Sequence, residues 1–222
     1  MEETKVVTLK PIEATPSTFK DYGQVIEASP DGDEFGPHDA QLDLSKGIPR
    51  FPLPSPIFYS LIKLQFLSVH KYSNSLFIHP FAPCLFWFYI MHIENRPLKF
   101  SNITHHASVT QCLGSIGGHA WYLGVAKPSI VESDELKDNT GKKIVQSRCG
   151  HSYVPPAIDD VQIFKVSGSK FLKLNRGTWH AGPIFKEDAM DFYNLELSNT
   201  NVIDHTTHSF KKDNGVVFLI DD

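Results

Sequence analysis

At 222 residues with 41% hydrophobic side chains, the chain can bury a sizeable core and reads as a single domain, 1–222, of the larger all-β kind. A net charge of −4 and a pI near 6.2, with Lys and Arg scattered along the chain, give no positive field for a phosphate backbone, so nucleic acid is not expected as a partner. The cysteines, Cys84, Cys112 and Cys149, are odd in number and lack metal-site spacing, which fits a reducing compartment. The N-terminal run MEETKVV is not apolar and the C-terminal LIDD matches no retrieval signal, so the cytoplasm is the expected location.

Val6, Val7 and Leu9 predict an opening strand. Thr15-Pro16-Ser17 ahead of Phe19 predicts a short helix capped by Thr15 or Ser17 and stopped at Tyr22-Gly23, after which Val25-Ile26-Glu27 resumes as a strand. The Pro-, Gly- and Asp-rich run 29–47 predicts a surface loop. Residues 51–87 are unlike the rest, with no acidic side chain and a predominance of Phe, Leu, Ser, Ile, Pro and Tyr at no steady period. A membrane span needs about 18 uninterrupted apolar residues. Lys63, His70, Lys71, His79, Pro80 and Pro83 interrupt this run, and no membrane partner is expected.

Phe88–Ile93 and Leu98-Phe100-Asn102 predict strands around a Glu94-Asn95-Arg96-Pro97 turn. The stretch 104–111 then holds adjacent His105 and His106 and, five residues after the second, Gln111. Residues 113–125 read as a glycine turn feeding a strand, with His119 assigned to strand packing, and the polar run 129–156 reads as a long loop. Val161–Val166 is a predicted strand. In Gly168–Pro183, Phe171 and Lys173 alternate with Leu172 and Leu174, Asn175-Arg176-Gly177 supplies a turn, and Thr178-Trp179-His180 restarts an extended run. Asp191–Leu197 and Val216–Ile220 complete the predicted strands.

The glycine, short strand, turn and histidine of 168–180 resemble the second motif of the cupins, with Asn175 where those proteins carry proline. Arg176, Gly177, Trp179 and His180 resemble more closely the late motif of one cupin-like family, the ureidoglycolate lyases, also described as ureidoglycolate hydrolases. Phe19, Tyr22, Gly23, Val25 and Ile26 are similar to that family's opening, and His106 with Gln111 to its middle motif. The resemblance covers roughly residues 5–50 and 88–210. It implies a cupin-like antiparallel β-barrel, a double-stranded β-helix with a short N-terminal helix. The activity implied is cleavage of ureidoglycolate to glyoxylate and urea, in allantoin and purine breakdown, by a homodimer acting on a small-molecule substrate. His106 and His180 are then the expected catalytic residues, and Gln111, Lys173, Arg176 and Trp179 the expected substrate-binding ones.

Histidine titrates near neutrality and suits either proton role, an Arg or Lys can fix the substrate carboxylate, and Gln111 can orient the ureido group. No cofactor is firmly expected. Thr104 and Gln111 stand where metal-binding cupins have a histidine and a glutamate, so a divalent metal on His106, Gln111 and His180 would have a weak ligand set. His105, adjacent to His106 and hence on the other strand face, is expected in solvent. The chain departs from the family at Ala181, where a second histidine is usual, and at Leu174, where a polar aromatic is usual. A cupin-fold binding protein that kept the cavity without the chemistry is therefore the alternative.

The same comparison bears on 51–87. Joining Arg50 to Phe88 gives RFYIMHIENRPLKF, a continuous strand sequence, and the over-represented residues are those encoded by T-rich codons. Two accounts stand for the segment: an apolar insertion packed on the barrel, or translation of a retained intron or erroneous gene model.

Overall fold

The computed structural model describes residues 4–31, 34, 86–107, 110–132, 143–197 and 200–222, so the readings of the 35–47 loop and of most of 51–87 lie outside the described residues. The strands in chain order are β1 (Lys5–Leu9), β2 (Ile12–Glu13), β3 (Gly23–Glu27), β4 (Phe86–Glu94), β5 (Lys99–Phe100), β6 (Asn102–His105), β7 (Gln111–Ser115), β8 (Trp121–Ala126), β9 (Ile130–Val131), β10 (Val145–Gln146), β11 (Ser152–Tyr153), β12 (Gln162–Val166), β13 (Lys170–Leu174), β14 (Trp179–His180), β15 (Ala189–Leu197), β16 (Thr206–Ser209) and β17 (Val216–Ile220). Two short helices, α1 (Thr200–Ile203) and α2 (Phe210–Asn214), flank β16. The protein is mostly β-sheet.

Two large sheets face each other, one ordered β16-β6-β14-β8-β12-β2 and the other β3-β13-β7-β15-β4. Period-two alternation decides what lies between them. On β15, Met190, Phe192, Asn194 and Glu196 are buried, whereas Asp191, Tyr193 and Leu195 take the other face. Leu113, Leu172, Leu174, Met190 and Phe192 of the five-stranded sheet meet Trp121, Leu123, Val125, Phe164 and Val166 of the six-stranded sheet in one apolar core, with Phe19 and Tyr22 at its edge. A third layer, β1-β17-β5 with α2, covers the outer face of the six-stranded sheet, where Tyr122, Trp179, Phe210 and Phe218 pack. Covered on both sides, β8 is buried at every position, which is why Trp121–Ala126 does not alternate in polarity.

Several expectations are corrected here. Among the described residues the strands do not close into a barrel. After Glu94 the chain turns through Asn95 (φ 54°) into β5, which pairs with β17 in the third layer and does not bridge the two large sheets. The N-terminal helix is a series of turns at residues 16–22: Thr15 and Thr18 exchange side-chain to backbone hydrogen bonds of 3.0 and 3.1 Å, and the chain enters β3 directly at Gly23. A Cβ on Gly23 would collide with the Lys173 carbonyl oxygen, so the glycine serves sheet pairing there and does not cap a helix. The polar run 129–156 is more ordered than a loop, since β9, β11 and β10 form a small sheet, and His119, expected in a strand, is exposed in the β7–β8 connection.

Candidate functional site

Register places the site residues. His180 pairs with Val125 and Thr104, whereas Trp179 pairs with Ala126. Val125 belongs to the core between the large sheets and Ala126 to the outer layer, so His180 points between the sheets and Trp179 away from them. The turn that aims His180 depends on Gly177, at φ 79°, whose N–H bonds the His106 carbonyl at 2.8 Å; a Cβ there would lie 2.6 Å from Ile130 Cδ1. That bond joins the two motifs. The rings of His106 and His180 stand 5.4 Å apart between centroids, with His205 5.8 Å from His106 on its other side.

Both imidazoles have a fixed orientation. His106 Nδ1 lies 2.5 Å from the Asp204 carbonyl oxygen and His180 Nδ1 lies 3.1 Å from that of Ala181. A carbonyl only accepts, so in each neutral ring Nδ1 carries the proton and Nε2 the lone pair. Asp204 Oδ1 accepts the Ala107 N–H at 2.8 Å, which locks the segment after α1 onto the end of β6. His180 Nε2 is enclosed with no hydrogen-bond partner. Burial, followed by the nearby His106, pushes the His180 imidazolium pKa down to about 3, and burial also lowers that of the more exposed His205. His180 is therefore neutral at pH 7.

Gln111 also faces inward, opposite Leu174. Its amide Nε2 donates to Glu196 Oε2 at 3.1 Å, leaving Oε1 buried and without a partner. Glu196 in turn accepts from Tyr89 Oη at 3.0 Å and Asn201 Nδ2 at 3.1 Å, and Asn194 Nδ2 donates to the Tyr89 oxygen at 2.9 Å. This network sets which end of the amide is free, namely the carbonyl oxygen. Burial raises the Tyr89 pKa, keeping that hydroxyl a donor.

The other expected substrate-binding residues are not brought here. Lys173 pairs with Cys112 on the outer face of the five-stranded sheet, opposite to the inward Leu172 and Leu174. Arg176 donates through Nε to the Ala107 carbonyl and pairs through Nη2 with Glu132 at 3.0 Å, so it braces the turn. Trp179 is fully buried, with Nε1 donating to Ser129 Oγ at 2.9 Å. Among the described residues no group of three or more His, Cys, Asp or Glu is placed to hold a metal ion, and the two imidazoles and one amide of the expected set offer no carboxylate. Cys112 and Cys149 are free thiols.

Expected in solvent, His105 is fully buried. It does take the opposite strand face from His106, but Trp179, His151 and, from β11, Tyr153 pack on that face. Its ring packs 3.9 Å from Trp179 and its Nε2 lies 2.7 Å from His151 Nε2, whose Nδ1 reaches Ser147 Oγ at 2.9 Å.

A cavity of about 710 Å³ is lined by Met91, Arg96, Lys99, Thr104, His180 and Gly182 among others, and His106 and Gln111 are not part of its lining. Sequence reasoning missed Tyr89, Asn194, Glu196 and His205, and treated Arg96 only as part of a turn. Period-two alternation in β4 and β15 gives Tyr89, Asn194 and Glu196 their inward face; nothing local marks His205. The chain matches no family model and no curated protein.

Proposed function

We propose that the protein is a lyase of the ureidoglycolate type on a cupin-like fold, releasing urea and glyoxylate. The observation that carries this reading is the facing pair His106 and His180, each with Nδ1 held by a backbone carbonyl, which leaves Nε2 of the neutral ring as the basic nitrogen. The reaction removes a proton from the carbinol hydroxyl, forms the aldehyde C=O, breaks the C–N bond and protonates the departing urea nitrogen. No proton is gained or lost overall, so one imidazole that starts neutral suffices: His106 Nε2 accepts the hydroxyl proton and the imidazolium returns it to nitrogen. His180, neutral beside it, stabilises the transferred proton. Gln111 Oε1 accepts from the ureido N–H groups, an orientation that Glu196 imposes.

The test is glyoxylate release from ureidoglycolate by the wild type and by His180→Gln, measured with melting temperature. Loss of acid–base help is expected to lower turnover about 100- to 10,000-fold with little change in melting temperature. Unchanged turnover removes His180 from the mechanism. A second reading, a binding protein without chemistry, is favoured by Leu174 and Ala181, both apolar and buried where polar groups were expected. Undetectable wild-type turnover alongside retained ligand binding would select it. Homodimerisation belongs to the same proposal, and a monomeric mass by light scattering would remove it.

A further inference from the structure

The positive charge that shares a cavity with His180 comes from an unexpected place. Arg96 and Lys99 line the same cavity as His180, while Arg176, the cation next to it in sequence, is bound to Glu132 and the Ala107 carbonyl. Neither Arg96 nor Lys99 has an ion pair among the described residues. The one carboxylate in the cavity lining, Glu94, is paired to His92 at 3.2 Å, and His92 also contacts Asp191 at 2.6 Å. Arg96 is aimed by its turn. Asn95 adopts left-handed backbone (φ 54°) and donates its N–H to the Asp188 carbonyl at 2.9 Å, and the Arg96 guanidinium then lies over the residues following His180, with Nη1 3.7 Å from where a Cβ on Gly182 would sit. Below it, His180 Nε2 is enclosed and unpartnered.

We propose that Arg96, assisted by Lys99, is the carboxylate seat of this cavity, holding a small 2-hydroxycarboxylate with its carbinol carbon toward His180. Guanidinium presents paired N–H donors that match the two oxygens of a carboxylate, which a lone ammonium does not. The seat deepens the lyase reading in naming ureidoglycolate as its reactive ligand, but binding of an unreactive carboxylate does not depend on that reading.

The experiment titrates glycolate, which carries the carboxylate and hydroxyl without the ureido group, into the full chain and follows binding by calorimetry. Arg96→Met is compared with Lys211→Met, which removes the same charge from an exposed position on α2. The expected result is a glycolate affinity at least about tenfold weaker in Arg96→Met and unchanged in Lys211→Met. Arg96→Lys, which keeps the charge and loses the fork, falls between them and carries the test if the Met variant does not fold. Equal affinity of the Arg96 variants and the wild type, or no glycolate binding by the wild type at millimolar concentration, overturns the seat. Ureidoglycolate turnover on the same preparations separates the two ideas. Arg96-dependent glycolate binding without wild-type turnover keeps the seat and sinks the lyase reading. Turnover by a wild type whose glycolate affinity is indifferent to Arg96 does the reverse.

Discussion

His105 and His106 are neighbours of identical chemistry, and the strand sends them to opposite sides of one sheet. On the outer side, His105 packs against Trp179 at 3.9 Å and bonds His151 at 2.7 Å, while His208 meets Phe210 edge-on at 4.6 Å and donates through Nε2 to Asn214 Oδ1 at 3.1 Å. On the inner side, His106 and His180 face each other beside a cavity, with a nitrogen of His180 unpartnered. The outer group is packed among Trp179, His151 and Tyr153, with His105 Nδ1 buried and unpartnered, whereas the inner group is held by its backbone bonds and His180 borders the cavity. A histidine's environment, more than its type, thus separates structural from chemical use.

The sharpest way to break this comparison is to exchange outcomes across it. His106→Gln and His180→Gln are each expected to lower ureidoglycolate turnover about 100- to 10,000-fold while melting within a few degrees of the wild type. His105→Ala should do the opposite, costing on the order of 2–4 kcal/mol of stability through the cavity left beside Trp179, with turnover reduced only a few-fold. Chemical denaturation monitored by tryptophan fluorescence reads the second effect. A His105 variant that melts like the wild type but is inactive would erase the distinction.

Acid sharpens it further. Burial, with His151 next, pushes the His105 imidazolium pKa from 6.5 down to about 3. Between those values the unfolded chain binds a proton that the folded chain refuses, so this contribution to stability is complete above pH 6.5 and is lost as pH falls toward 3. His105 contributes about 1.4 kcal/mol per pH unit inside the window. Denaturation at pH 7 and pH 5 should therefore show a smaller acid penalty in His105→Phe than in the wild type, and equal penalties would contradict the assignment. The smallest expected effect is at the turn: Arg176→Met loses a bond to the Ala107 carbonyl and an exposed ion pair with Glu132, together worth about 1 kcal/mol, read as a melting shift of a few degrees.

Much of the strand order was legible because it rests on local alternation. Phe88–Ile93, Phe171–Leu174, Asp191–Leu197 and Val216–Ile220 all fall within strands, and Val161–Val166 does so from Gln162 onward. Of His106, Gln111, Lys173 and His180, which the family resemblance set around one cavity, His180 lines the cavity described above, Gln111 faces inward and Lys173 faces outward. What escaped depends on long-range packing and pairing. His105 reads as exposed until His151 and, from β11, Tyr153 are known to pack on its face, and the barrel reads as closed until β5 is seen to pair with β17. Arg176 reads as a ligand group because nothing in its own stretch announces Glu132, 44 residues earlier. For 51–87, Phe86 and Trp87 pair with Leu197 and Glu196 as the start of β4, and the remainder lies outside the described residues. An Arg50–Phe88 fusion is still expected to be soluble with a sheet-dominated circular dichroism spectrum; insolubility beside a soluble full-length chain would make the segment integral to the fold.

The unclosed side of the two-sheet stack has a consequence for how such a protein can change over time. The cavity is built partly from β4 and a four-residue turn, 94–97, while the Nδ1 atoms of His106 and His180 are held by the carbonyls of Asp204 and Ala181, remote from that turn along the chain. On the proposed reading, selectivity and reactivity are thereby assigned to separate stretches of chain. Substitutions at Arg96 or insertions beside it would then alter which acid is admitted without disturbing the registers that aim the imidazoles, so lineages sharing this scaffold would be free to diverge in ligand while the imidazole pair stays fixed.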